Sequence, residues 1–145
     1  MASTELIRKA VDAINRHEPE AFAASYAEDA VVYDPYYAEP LHGRAAIQKD
    51  MEDFFRAFPD AHNAVSVVMA EGNVLATEIA MTGTHTGLLA LPSGDVPPTG
   101  KKLSFGGGIF SRVNSEGLIV EEHRYYDVLG QLVQLGLMPE EQAVS

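Results

Sequence analysis

At residue 62 the apolar residues of this 145-residue chain change period. Before that point they recur at helical spacing, first as Leu6, Ile7, Ala10, Val11 and Ile14, then as Ile47, Met51, Phe54, Phe55 and Phe58. After it they alternate, as extended segments with one apolar face do. Helices gathered at one end of a chain and strands at the other define an α+β architecture. The strands are long and Gly106-Gly107-Gly108 interrupts one of them, as happens where a sheet bends or bulges. The expectation is a strongly curved antiparallel (mixed) sheet wrapped around three N-terminal helices, its concave face forming a pocket.

The first helix follows Ser3 and Thr4 and breaks at NRHEPE, residues 15–20. A short second helix starts around Pro19 and carries Phe22 and Tyr26, and a short strand covers residues 30–34. Residues 35–40, PYYAEP, read as irregular, and the third helix runs from His42-Gly43 to the stop at Pro59-Asp60. Strands are expected at 62–71, 73–86, 101–113 and 118–127, with turns at 71–73 and 114–117. The Pro- and Gly-rich connection 88–100 reads as a loop without regular structure, of the kind that serves as a lid or binding element. A last short helix with Leu129, Leu132, Val133 and Leu135 ends near Gly136, before a loose tail. Nothing marks a linker or repeat, so residues 1–145 read as one domain.

Composition removes several functions. A formal charge of −11, with 10 Lys and Arg that form no cluster, is unsuited to the phosphate backbone of nucleic acid or to anionic membranes. The absence of cysteine excludes disulfides, thiolate catalysis and cysteine-ligated metal. No histidine spacing suggests a metal site, no glycine motif suggests a nucleotide, and no cofactor is expected. Without a secretory signal or an apolar run of bilayer length, the expected location is the cytoplasm.

Residues 121–127, EEHRYYD, concentrate the ionisable side chains. Strand alternation puts Glu121, His123, Tyr125 and Asp127 on one face and Glu122, Arg124 and Tyr126 on the other. The first row is read as facing the pocket, the second as facing outward. Asp127 also stands where a helix begins, a position at which Asp caps well. A carboxylate at an apolar wall is disfavoured in its charged form, which suits it to proton transfer near neutral pH. His85 shares the parity of Leu75, Thr77, Ile79 and Met81 and so points inward. Tyr33, Asp34, Tyr36 and Tyr37 cluster where the first strand ends, though Asp34 beside Pro35 is more simply a turn starter. His42 reads as capping or surface, and His17 and His62 as exposed.

Five segments resemble the SnoaL-like polyketide cyclase (ester cyclase) family of the nuclear transport factor 2-like superfamily. They are HGRAAI (42–47), FFRAFPD (54–60), GTHTG (83–87), PPTGKK (97–102) and YYDVLGQLVQLGL (125–137). The resemblance implies a cone-shaped fold with a deep apolar pocket, and a homodimer formed through the outer sheet face. It also implies cofactor-free closure of a ring by intramolecular aldol condensation, with Asp127 as general acid/base and His85 as its pocket histidine. Tyr125, His123, Tyr33, Asp34, Tyr36, Met81 and Phe105 are then the residues expected to contact a small apolar carbonyl ligand. On that basis Asp127→Asn keeps the fold and loses turnover. The alternatives are enolisation or double-bond isomerisation, a non-catalytic binding protein with the same pocket, and hydrolysis of an epoxide or lactone. The last calls for an Asp–Arg–Asp set, against which the outward parity assigned to Arg124 counts.

Overall fold

A computed structural model describes residues 3–139. Ser3 caps α1 (Thr4–Asn15) by accepting the Glu5 N–H, and the buried Ile7, Ala10, Ala13 and Ile14 form its inner stripe. α2 (Pro19–Ala23) is a single short turn-and-a-half that ends before Tyr26. Tyr26 instead opens β1 (Tyr26–Tyr33), because the chain there enters a sheet and pairs in parallel with the last strand. The strand expected at 30–34 therefore begins four residues earlier. β2 (Leu41–His42), at the point where the sequence pointed only to the entry of the third helix, pairs with β1, and α3 (Arg44–Ala57) follows.

The four long strands fall close to their expected places: β3 (His62–Glu71), β4 (Val74–Thr84), β7 (Lys102–Val113) and β8 (Ile119–Tyr126). Between β4 and β7 the supposed loop contains a small hairpin, β5 (Leu89–Leu91) and β6 (Gly94–Val96). Pro92 sits in its turn and Pro97 and Pro98 follow it, so no proline falls within either strand and the short ladder survives. α4 (Val128–Gln134) closes the described chain. The tail expected after Gly136 lies largely in residues 140–145, outside the described residues.

The main sheet runs β2-β1-β8-β7-β4-β3, antiparallel except for β1 beside β8. Its concave face and the three N-terminal helices enclose a core that includes Phe22, Val32, Ile47, Met51, Ile79 and Ile119. A second cluster gathers Phe58, Leu89, Leu103 and Leu135 where α3, the hairpin and α4 meet.

Register decides which side chains enter the concavity. Leu75, Thr77, Ile79 and Met81 are buried on β4, as their alternation predicts. Across the ladder Leu75 faces Ser111, Thr77 faces Ile109 and Ile79 faces Gly107. These pair onward with Glu122, Arg124 and Tyr126 of β8. Residues paired across a sheet share a face. The row expected to point outward therefore points in, and Glu121, His123 and Tyr125 point out.

Candidate active site

The concave face holds a cavity of about 170 Å³ with mainly apolar walls, Ile14, Phe22, Ile79, Met81, Phe105 and Ile109 among them. One end of it is strongly polar. There Arg124, its side chain 10% exposed, is surrounded by carboxylates from three elements. Its Nε donates to Glu122 Oε2 at 2.8 Å. One terminal nitrogen donates to Asp34 Oδ2 at 3.1 Å and to Asp50 Oδ2 at 3.2 Å. Burial opposes the guanidinium charge, but Tyr26, Glu122, Asp50 and Asp34 more than offset it and hold Arg124 protonated.

The carboxylates differ in their surroundings. Glu122 is locked from three sides: Tyr26 Oη donates to Oε2 at 2.8 Å and Ser111 Oγ to Oε1 at 2.9 Å, besides Arg124. Asp34 accepts from the Tyr36 N–H at 2.9 Å, from Arg124 and from the Tyr126 hydroxyl, so it caps the turn and joins the cluster at once. Asp50, on α3, accepts only Tyr37 Oη at 2.6 Å and Arg124. Burial raises the Asp50 pKa above the usual carboxylate range, and the negative field of Asp34 adds to it, although Arg124 and Tyr37 pull the other way.

Phenols complete this end. Burial first, then nearby carboxylates, raises the pKa values of Tyr36, Tyr37 and Tyr126, that of Tyr36 to about 12. All three remain O–H donors at neutral pH. The hydroxyls of Tyr37 and Tyr126 are engaged with aspartates, whereas that of Tyr36 has no partner among the described residues, and Tyr36 lines the cavity. Chemically this is an acid/base end with a free oxyanion donor. Among the described residues no group of His, Asp and Glu is arranged to hold a metal ion.

The residues singled out in the sequence divide sharply. Asp34, Tyr36, Met81 and Phe105 line the cavity. Asp127 does not: it is exposed and caps α4, accepting the Gly130 N–H at 2.8 Å. The strand ends at Tyr126, and the turn into α4 aims the Asp127 carboxylate along the helix entry instead of into the cone. Tyr125 borders the cavity but is 58% exposed, with its ring against Phe110 and His123 on the convex side. His123 stacks on Tyr33 and bonds Glu121 at 2.9 Å. Tyr33 and His123 line a separate shallow recess that backs onto Asp34 and Arg124.

His85 does point inward, yet into packing and not into the cavity. It is fully buried against Phe58, and its Nδ1 accepts the Thr99 N–H at 3.2 Å and meets Thr99 Oγ1 at 2.9 Å. Desolvation lowers its pKa, so the ring is neutral. The glycines beside it serve the same junction. A Cβ on Gly87 would lie 1.7 Å from the Arg56 carbonyl oxygen, and one on Gly83 3.1 Å from Phe58. Of the other histidines, His42 and His62 are exposed, but His17 is half-buried on Phe55 and bonds the Ala61 carbonyl at 2.8 Å.

Asp50, Tyr26, Ser111, Glu122 and Arg124 were not among the sequence candidates. Asp50 reads as one more charge on the polar face of α3. Glu122 and Arg124 were assigned to the wrong face. The available signal was the β4 parity, which carried through the ladder turns that row inward.

The fold and cavity define a cone-shaped α+β protein whose apolar cavity ends in a cluster of carboxylates and phenols around Arg124. The chain belongs to the SnoaL-like polyketide cyclase family, whose model matches residues 4–135. It is similar to AclR, a proposed hydroxylase from Streptomyces galilaeus, with 29% identity over 94% of this chain and 96% of that one and a TM-score of 0.78. It is also similar to IdmH, a proposed polyketide cyclase from Streptomyces antibioticus (27% identity, 92% and 97% coverage, TM-score 0.72). A third similar structure is a proposed polyketide cyclase from Pseudomonas putida KT2440 (26% identity, 92% and 98% coverage, TM-score 0.74). No curated protein matches the sequence. The family and these neighbours support a cyclase-type enzyme in coarse terms.

Proposed function

We propose that the protein closes a ring in a small apolar carbonyl compound by cofactor-free acid/base catalysis, with Asp50 in place of Asp127 as the proton-transferring group. The observation that carries this is a largely desolvated carboxylate of raised pKa, its side chain 17% exposed, at the wall of an apolar cavity, beside a fixed guanidinium and an unengaged phenol. A general acid/base works best with a pKa near the working pH.

In the aldol form, ionised Asp50 removes a proton from the carbon next to one carbonyl. The resulting enolate carbon attacks a second carbonyl carbon of the same molecule, forming the C–C bond as the π pair moves to oxygen. The alkoxide takes the proton back from Asp50, which ends as it began. Tyr36 donates to the oxygen where charge develops, a contribution typically worth about 100- to 1000-fold for one such donor. Arg124 holds Asp50 and Asp34 in place and balances their charge.

The test is deuterium incorporation at the acidic carbon of β-tetralone in D₂O, followed by NMR. Wild type should accelerate it, Asp50→Asn should lose roughly 100- to 10,000-fold, and Asp127→Asn should stay near wild type. Retained exchange in the Asp50 variant would remove Asp50 from the reaction. Binding of β-tetralone with no acceleration in wild type would leave a carrier or sensor of apolar ligands.

A second reading has its own support. Arg124 bridges two aspartates on one cavity, the Asp–Arg–Asp set that the sequence seemed to lack. Protonated Asp50 is placed to give its proton to an epoxide oxygen as the C–O bond breaks, while Asp34 takes one from the attacking water. Conversion of styrene oxide to its diol, lost in both Asp34→Asn and Asp50→Asn, would favour this reaction.

The homodimer is part of the same proposal. Val67, Met69, Phe110 and Tyr125 are exposed, and Phe110 and Tyr125 pack together on the convex side with His123 and Tyr33. Aromatic residues and Met are the types enriched in interfaces. Sedimentation should give a dimer for wild type and a monomer for Phe110→Glu; identical profiles would reject this face.

A further inference from the structure

The cavity wall contains three polar atoms with nothing to bond. Asn63 Oδ1, Thr77 Oγ1 and Gln131 Nε2 are buried without a hydrogen-bond partner among the described residues. All three residues line the apolar cavity, and each is more than nine-tenths buried. Buried polar atoms find a partner in roughly 90% of cases or more, so three orphans on one cavity call for a reason.

Local structure does not supply one. The Asn63 backbone is already bonded to Asn15, in both directions, at 2.7 and 2.9 Å, which leaves its side-chain amide for the cavity. Thr77 is the sharper case. It stands on the inward row of β4 between Leu75 and Ile79. Valine there would have the same branched shape and strand propensity, with no hydroxyl left unbonded.

The ladder fixes where that hydroxyl is. Thr77 pairs with Ile109, and Ile109 pairs with Arg124. Thr77 and Arg124 thus lie in one cross-strand row, two strands apart, which at about 4.8 Å per strand separates their backbones by about 10 Å. Only the apolar side chain of Ile109 intervenes on that face. A ligand reacting at Asp50 beside Arg124 and lying across Ile109 would reach Thr77 with its far end.

We infer that Thr77 is a specificity-determining residue that hydrogen-bonds an oxygen group at the end of the ligand remote from the reacting carbonyl. The preferred ligands are then ketones with a second hydroxyl or carbonyl at the end of the molecule away from the reacting carbonyl, not plain hydrocarbon ketones. Asn63 and Gln131 offer further polar contacts on the same cavity. This names the substrate class for the acid/base reading above and rests on it.

The experiment is calorimetric titration of β-tetralone and its 6-hydroxy derivative, whose hydroxyl lies across the fused ring from the ketone, into wild type, Thr77→Val and Thr77→Ser. One neutral hydrogen bond should make wild type prefer the hydroxylated ketone by roughly three- to tenfold. Thr77→Val should bind the two equally, with β-tetralone affinity and melting temperature no lower than wild type, and Thr77→Ser should keep the preference. Equal binding by wild type, failure to bind either ketone, or a preference that survives in Thr77→Val would overturn the inference. Deuterium exchange without a binding preference would sink this inference alone. A preference without exchange would sink the catalytic reading and leave Thr77 as a recognition residue.

Discussion

Strand β8 presents two rows of nearly the same chemistry, and they meet opposite fates. Glu121, His123 and Tyr125 lie on the convex side, where Glu121 bonds His123 and the rings stack at the surface. Glu122, Arg124 and Tyr126, displaced by one residue, are tied to Tyr26, Ser111, Asp34 and Asp50 inside the cone. The outer contact is solvated, and surface contacts of that kind contribute little. The inner one is desolvated, so every charge in it depends on its partners. Nearly the same residue types become a solvated surface or a buried ion cluster according to which way the ladder turns them.

The comparison is broken most severely at its centre. Arg124→Met leaves Glu122, Asp34 and Asp50 buried around no cation and should cost about 3–5 kcal/mol of stability near neutral pH. Urea unfolding should show much of that loss recovered in mild acid, where the carboxylates take up protons. Loss independent of pH would mean that packing, not charge, is what Arg124 supplies.

Asp50 sharpens the same point without emptying its place beside Arg124. Its raised pKa means that the folded chain holds a proton where the unfolded chain, near the model value of 3.8, has lost it. Its stabilising contribution is complete below that value and disappears as pH rises through the folded pKa. Asp50→Asn stays neutral, so its melting temperature should gain on wild type as pH increases from acid to neutral. A constant offset across that range would contradict the assignment.

Smaller effects belong to the outer row and its end. Asp127→Ala should cost about 1 kcal/mol through loss of the α4 cap, while Asp127→Asn caps equally well and should be nearly silent. Tyr125→Ser should change the monomer's stability by no more than about 0.5 kcal/mol. A large effect at either position, read by chemical denaturation, would restore the outer row to functional importance.

The alternation in residues 121–127 was legible from sequence; its direction was not. Two rows each containing Glu, Tyr and a basic residue carry no hydrophobic difference by which to choose the buried one. On β4 the choice was plain because Leu75, Ile79 and Met81 are large and apolar, whereas the alternate residues Ala76, Glu78 and Ala80 are small or charged. Helix α3, the four long strands and α4 were legible for the same reason. The hairpin at 89–96 was hidden by its prolines and glycine, and Tyr26 by its place just beyond a short helix. The acid/base cluster was the least accessible, since it joins residues that only the finished sheet brings together. The segments GTHTG, FFRAFPD and PPTGKK were noticed separately, yet they meet at one junction. Thr86 and Gly87 donate to the Ala57 carbonyl there, His85 packs on Phe58, and Thr99 bonds His85.

The parallel pairing of β1 with β8 also bears on when the protein becomes competent. Arg124 is 90 residues from Asp34 and 74 from Asp50, and Tyr26 is 96 from Glu122. Contacts between such distant parts of a chain close large loops and form slowly. During synthesis both aspartates leave the ribosome long before the arginine that balances them, and they wait in water as ordinary carboxylates. Asp50 loses its water, and its pKa rises, only as the cone closes, so on the reading proposed above the proton-transferring group is made in the same step that completes the sheet. An interrupted or truncated chain that lacks the last strand would thus lack the cluster by construction.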